Sequence, residues 1–229
     1  MINTVVFDLG NTLIHYYTRE QIPEILERSL QSCIDFLVSR GIHPPEMDTI
    51  HRRAQELEET IKGNKVYPMQ QRLGYIFGLE EADLLFELCE VYLQPISMVG
   101  TLYDDVKPTL TELEDTGYDL AVLSNTPWGC PSRIWKRELD KHDISRYFST
   151  TVCCYDAGWR KPDPRVFNYL LEKMRREPSE CIFIGDDPRW DIKGPEAIGM
   201  KALLLDRTGT KENSIQTLSE IPNILSQLT

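Results

Sequence analysis

No stretch of this 229-residue sequence approaches the roughly 20 consecutive apolar residues that a membrane-spanning helix needs. Met1 runs straight into a strand-like segment, without the charged region and apolar core of a signal peptide. No membrane partner is expected, and a cytoplasmic location is. Positive charge is scarce as well: 25 Lys and Arg stand against 36 Asp and Glu, a formal net charge of -11. Such a chain offers no electrostatic footprint for polyanions, which argues against a nucleic-acid partner. The six cysteines (Cys33, Cys89, Cys130, Cys153, Cys154 and Cys181) include no pair at zinc-ligand spacing and have no histidine motif beside them. They are read as small buried hydrophobes. Internal repeats and low-complexity tracts are absent too.

What is present is enough apolar material, 41% of the chain, for one large domain or two small ones. Short β-branched or aromatic runs end at polar residues: Thr4-Val5-Val6-Phe7 before Asp8, Asp119 to Leu123 before Ser124, Cys181 to Ile184 before Gly185-Asp186, and Lys201 to Leu205 before Asp206. Thr150-Thr151-Val152-Cys153 is a fifth candidate strand. Helical patterns lie between them, over 106–116, 132–141, 164–176 and 189–198, and a terminal helix is expected over 214–228. Alternating strands and helices predict an α/β fold, a doubly wound parallel sheet with right-handed crossovers. Residues 14–96 break the alternation. There the apolar positions, such as Ile25, Leu26, Leu30, Ile34 and Leu37, recur every three or four residues, predicting helices over 21–39, 47–61, 69–77 and 81–93. The expected organisation is a core domain of residues 1–13 and 97–229, with residues 14–96 as a helical-bundle cap over the sheet.

Asp8, Ser124 and Asp186 sit just past three predicted strands, whose carboxyl ends in a parallel sheet converge on one crevice. Two carboxylates meeting there repel each other, which raises their pKa values unless a cation lies between them. A hard ion with oxygen ligands, Mg²⁺ above all, relieves that clash. With the hydroxyl of Ser124 and the ammonium of Lys161, the set suits phosphoryl transfer, in which charge on the equatorial oxygens needs stabilising.

These segments resemble four motifs of the haloacid dehalogenase superfamily: Val5 to Leu13 the first, Leu123-Ser124-Asn125 the second, Arg160-Lys161-Pro162-Asp163-Pro164 the third, and Ile184 to Gly194, with Asp186-Asp187 and Asp191, the fourth. The resemblance implies a Rossmann-like core and Asp8 as a nucleophile that forms an aspartyl-phosphate. It implies Mg²⁺ held by Asp8, Asp186 and the backbone carbonyl of Gly10. Ser124, Asn125 and Lys161 then bind the substrate, a small phosphorylated metabolite, and Lys161 also neutralises the nucleophile. Asp191 accepts from behind the metal or orients Lys161, Thr12 orients the first loop, and Asp187 stands beside them without an assigned contact. Whether such a protein is a monomer or a homodimer stays open.

One position departs from the pattern. Phosphatases of the superfamily normally carry a second aspartate two residues after the nucleophile, and here that residue is Gly10. Loss of a general acid/base costs about 10²- to 10⁴-fold in rate. Substitute proton sources are His15, Tyr16, Tyr17 or water. The alternatives are 2-haloacid dehalogenase chemistry, phosphonate hydrolysis through a cap lysine such as Lys62 or Lys65, and a feebly catalytic phosphate-binding or interaction protein. The acidic fourth motif favours metal-assisted phosphoryl chemistry over the dehalogenase branch.

Overall fold

The computed structural model describes residues 1–228. Its central strand is β1 (Thr4–Phe7), whose four residues are all buried. The chain then forms the short β2 (Ile14–His15), four helices, α1 (Ile22–Ser39), α2 (Met47–Thr60), α3 (Met69–Phe77) and α4 (Ala82–Val99), and β3 (Thr101–Leu102). The stretch β2 to β3 is an insertion closed at its neck, because β2 and β3 pair antiparallel, Ile14 opposite Leu102. Helix α5 (Val106–Asp115) leads to β4 (Asp119–Ser124), followed by β5 (Thr150–Cys153), α6 (Pro164–Met174), β6 (Cys181–Gly185), β7 (Lys201–Leu205), β8 (Ser214–Ile215) and α7 (Ile221–Leu228). Asp163 caps the start of α6 with its side chain while Pro164 occupies the first turn, where a missing N–H costs nothing.

The main sheet has six strands in the order β5-β4-β1-β6-β7-β8, every pair parallel. Phe7 pairs with Val122 on one side and Ile184 on the other. That register carries Asp8, Ser124 and Asp186 past the same edge of the sheet. Side chains alternate across it with the period of two that a pleated strand imposes. Val5, Phe7, Leu120, Val122, Ile182 and Ile184 join one core, and Val6, Ala121, Leu123 and Phe183 join the other. The second core is covered by α6 through Val166, Phe167, Leu170 and Leu171, with the Phe167 and Phe183 rings edge-on at 5.7 Å. The first core continues without interruption into the helical insertion, where Leu30, Leu37, Leu73, Leu88 and Tyr92 are buried.

Three elements differ from the sequence expectation. Helix α4 runs on through Pro95 to Val99, because Tyr92, Leu93 and Ile96 extend its buried stripe and that packing outweighs the amide lost at the proline. Residues 132–141 form two short helices, Ser132–Trp135 and Arg137–Lys141, joined at Lys136. The expected terminal helix is shorter: Ser214 and Ile215 pair with Leu204 and Leu205 as an edge strand, and α7 starts only at Ile221. No helix among the described residues is long and apolar enough to cross a membrane.

The insertion is fastened to the core at several points. Val66 N–H donates to the Gly158 carbonyl at 2.9 Å, and Arg160 N–H to the Asn64 carbonyl at 2.8 Å. Trp128, in the loop after β4, stacks on Tyr92 of α4 with ring centroids 4.9 Å apart, and the Arg72 guanidinium of α3 lies 5.5 Å from the Trp128 ring. Tyr16 likewise stacks on Trp135 at 5.2 Å.

Candidate active site

The ammonium of Lys161 lies between two carboxylates, 2.6 Å from Asp8 Oδ1 and 2.7 Å from Asp191 Oδ1. It is buried, and the Phe183 ring sits 5.0 Å away. Its backbone is clamped by one side chain: Lys161 N–H donates to Asn125 Oδ1 at 2.9 Å, and Asn125 Nδ2 donates to the Lys161 carbonyl at 3.2 Å. The other Asp191 oxygen accepts from Asp187 N–H at 3.0 Å, so Asp191 aims Lys161 with one oxygen and secures the loop after β6 with the other. This geometry requires Gly185, since a Cβ there would sit 2.4 Å from Asp191 Cγ. Thr12 Oγ1 approaches Asp8 Oδ2 at 3.5 Å.

Asp8, Asp186 and Asp191 each offer an oxygen within 4.8 Å of the others. Burial, then repulsion from Asp191, pushes the Asp8 carboxyl up to about 6 even though Lys161 pulls it down. Burial, then Asp8 and Asp191, raises Asp186 to about 7. Burial opposes the charge on Lys161 too, yet Asp191 and Asp8 outweigh it and hold that group above the ordinary lysine value. The two partners of the Asp8–Lys161 pair thus shift in ways that look contradictory. Three carboxylates around one ammonium reconcile them: the cation is amply paired, whereas the anions share it and two negative charges stay unbalanced.

A cavity of about 430 Å³ opens over this cluster, lined among others by Asp8, Gly10, Asn125, Arg160, Lys161, Asp186 and Trp190. A larger cavity of about 890 Å³ on the insertion, beside Arg52, Gln70 and Tyr75, contains none of these acids, so size alone does not locate the chemistry. Asp187 lines the smaller cavity, but its carboxylate caps the following turn and accepts from Arg189 at 2.7 and 3.1 Å. Ser124 is buried and does not line it: the hydroxyl donates to the Asn125 carbonyl and accepts from Trp135 Nε1, each at 3.2 Å. Gly10 lines the cavity, and a Cβ added there would meet nothing closer than Tyr16 Cδ2 at 3.8 Å. Tyr16 is no proton donor to this space, because its hydroxyl donates to Glu138 at 3.1 Å, and burial followed by that carboxylate keeps it protonated. His15 Nδ1 lies 3.3 Å from the Tyr103 hydroxyl in a neighbouring recess, whereas Tyr17 lines both spaces.

Residues 2–199 match the model of the haloacid dehalogenase-like hydrolase family. The chain belongs to that family. Over an alignment 255 positions long it is 26% identical to a ribulose-1,5-bisphosphate 5-phosphatase of Halopiger xanaduensis, covering 99% of this chain and 100% of the relative. It is 23% identical to a glyceraldehyde 3-phosphate phosphatase of Methanopyrus kandleri, with 97% and 92% covered. A 2-haloacid dehalogenase from Pseudomonas syringae shares the fold with a TM-score of 0.73, 21% identity and full coverage of both chains. Membership and fold agree with the resemblance read from the four motifs.

Sequence reading named Asn125, Tyr16 and Arg160 but missed how they are engaged. Nothing in a lone Asn marks it as the clamp on a lysine 36 residues away, and nothing in the spacing of Tyr16, Trp135 and Glu138 announces that they pack together. The Arg160 signal was visible only as the neighbour of Lys161.

Proposed function

We propose that this hydrolase is a Mg²⁺-dependent phosphatase of small phosphorylated metabolites, working through an aspartyl-phosphate on Asp8. The observation that carries the reading is the charge balance of the cluster: three clustered carboxylates, two of them buried, against one ammonium leave two negative charges, which one divalent ion would cancel. The all-oxygen donor set suits a hard cation, with Asp8, Asp186 and the Gly10 carbonyl as ligands. When bound, such an ion supplies Lewis-acid stabilisation of phosphoryl oxygens.

In the proposed cycle Asp8 attacks phosphorus, the bond to the ester oxygen breaks, and the alcohol leaves with a proton drawn from water. A second water then attacks the phosphorus of the aspartyl-phosphate, releasing inorganic phosphate and restoring the carboxylate. Lys161, fixed by Asp191 and the Asn125 clamp, neutralises charge on Asp8 and the phosphoryl group. Asn125, which lines the cavity, faces the phosphoryl group, whereas the buried Ser124 hydroxyl would have to turn away from the Asn125 carbonyl to reach it. Residues 14–96 act as the cap, and residues 1–13 and 97–229 as the catalytic core.

Phosphate release from p-nitrophenyl phosphate and acetyl phosphate tests this reading. Wild type turns over with Mg²⁺ and stops with EDTA, and Asp8→Asn is inactive. Halide release from a 2-haloacid in EDTA would move the chain to the dehalogenase branch, while inertness toward phosphoesters, a phosphonate and the haloacid would leave a binding protein.

A further inference from the structure

Three cationic residues, Arg160, Lys161 and Arg189, are among those lining the cavity over Asp8. Two are already matched. Lys161 is engaged by Asp8 and Asp191, and Arg189 forms a two-pronged pair with Asp187. The Arg160 guanidinium has no hydrogen bond or ion pair among the described residues; the contacts of this residue are through its backbone. Those contacts hold it firmly: its N–H donates to Asn64 of the insertion at 2.8 Å, and its carbonyl accepts from Asp163 N–H at 2.9 Å. The next residue is the one gripped by Asn125. A half-buried arginine on a fixed backbone, lining the nucleophile's own cavity and without a carboxylate partner, is a fork for a ligand anion. The phosphoryl group being transferred is served by Lys161 and the acid-bound ion, so the anion matched to Arg160 is a second one.

We infer that Arg160 is a specificity-determining residue that reads a second anionic group on the substrate's leaving portion, making the preferred substrates phosphomonoesters that also carry a carboxylate or another phosphate. This rests on the phosphatase reading and narrows its substrate class. Trp190, Pro127 and Ile22 add aromatic and apolar lining to the same cavity, which suits a short carbon linker between two anions. Because the Arg160 backbone is bonded to the insertion, the subsite is complete only with the insertion seated.

Three probes that differ at one end decide it: phosphoglycolate, ethylene glycol bisphosphate and ethylene glycol monophosphate, the last ending in a neutral hydroxyl. With Mg²⁺, wild type should favour one or both of the doubly anionic esters in kcat/KM over the monophosphate by about 10- to 100-fold, the range of a charge-assisted bidentate contact. Arg160→Gln should collapse that preference mainly through KM, and Arg160→Lys should restore part of it. Which doubly anionic ester is preferred separates a carboxylate from a phosphate reader. A preference untouched by Arg160→Gln, or an equal loss on all three esters, overturns the inference while leaving the phosphatase reading intact. Should wild type hydrolyse none of them while turning over p-nitrophenyl phosphate, the phosphatase reading stands and the inference fails; should it be inert to p-nitrophenyl phosphate and acetyl phosphate as well, the phosphatase reading fails on its own. Calorimetric binding of the same compounds to wild type and Arg160→Gln then still decides the subsite, equal affinities overturning it.

Discussion

Gly10→Asp puts a carboxyl group at the one position where this chain departs from its family's phosphatase pattern. The backbone accepts it, because Gly10 lies outside the left-handed region and the nearest atom to a new Cβ is Tyr16 Cδ2 at 3.8 Å, an ordinary contact. The electrostatics help as well. Burial, the largest cause of the upward shifts on Asp8 and Asp186, also favours the protonated form of a new carboxyl here, as a general acid requires. A positioned acid is worth about 10²- to 10⁴-fold, or roughly 3 to 5 kcal/mol of barrier, and an unrefined one should reach about the lower end. The gain must depend on the leaving group. An alkyl phosphate expels a strongly basic alkoxide and should speed up about 100-fold, whereas p-nitrophenyl phosphate needs no proton and should change by less than about 3-fold. The assay is kcat for both esters at saturating Mg²⁺, with Gly10→Asn as an isosteric control that cannot give up a proton and circular dichroism to verify folding. A folded Gly10→Asp enzyme that accelerates both esters equally, or neither, would refute the idea that this position limits leaving-group protonation.

Other perturbations follow from the same cluster. Asp8 and Asp186 have raised pKa values, so the metal-free native state binds protons that the unfolded chain has released, and its stability falls as pH rises through about 4 to 7. Mg²⁺ therefore raises Tm more at pH 7.5 than at pH 5.5, which thermal scans with Mg²⁺ and with EDTA check; an equal or reversed shift would contradict the acid cluster as its site. Lys161→Met leaves the buried carboxylates of Asp8 and Asp191 without their counter-charge and should cost about 3 to 5 kcal/mol at neutral pH, with the loss shrinking toward pH 5 as protons replace the ammonium; urea melts at both pH values measure it. Trp128→Ala removes the stacking on Tyr92 and the contact with Arg72, and because the ring is only half-buried the expected loss is about 2 to 3 kcal/mol, below the full core value. That variant should also raise KM more than it lowers kcat, since the insertion seats less firmly.

The central strands were legible because a strand buried on both faces must be apolar throughout, and Val5, Val122 and Ile184 leave no other reading. The acids were legible for a related reason: a carboxylate directly after such a strand has to face the crevice at the sheet's edge. Peripheral elements were not, because tertiary contacts decide them. Ser214 and Ile215 are a strand only because Leu204 and Leu205 present a free edge, and Pro95 stays within α4 only because Ile96 is buried beyond it. Within the site, sequence indicated which residues approach but not how each atom is engaged. The Ser124 hydroxyl facing Trp135, the Asn125 amide gripping Lys161 and the vacant fork of Arg160 arise from segments that meet only after folding.

The two backbone bonds joining the insertion to residues 158 and 160 have a mechanical consequence. They tie the insertion to the very loop that carries the ammonium. Were the insertion to lift, the pull would fall on the seat of Lys161. On the proposed function, admitting a substrate and loosening the charge array would then be a single displacement.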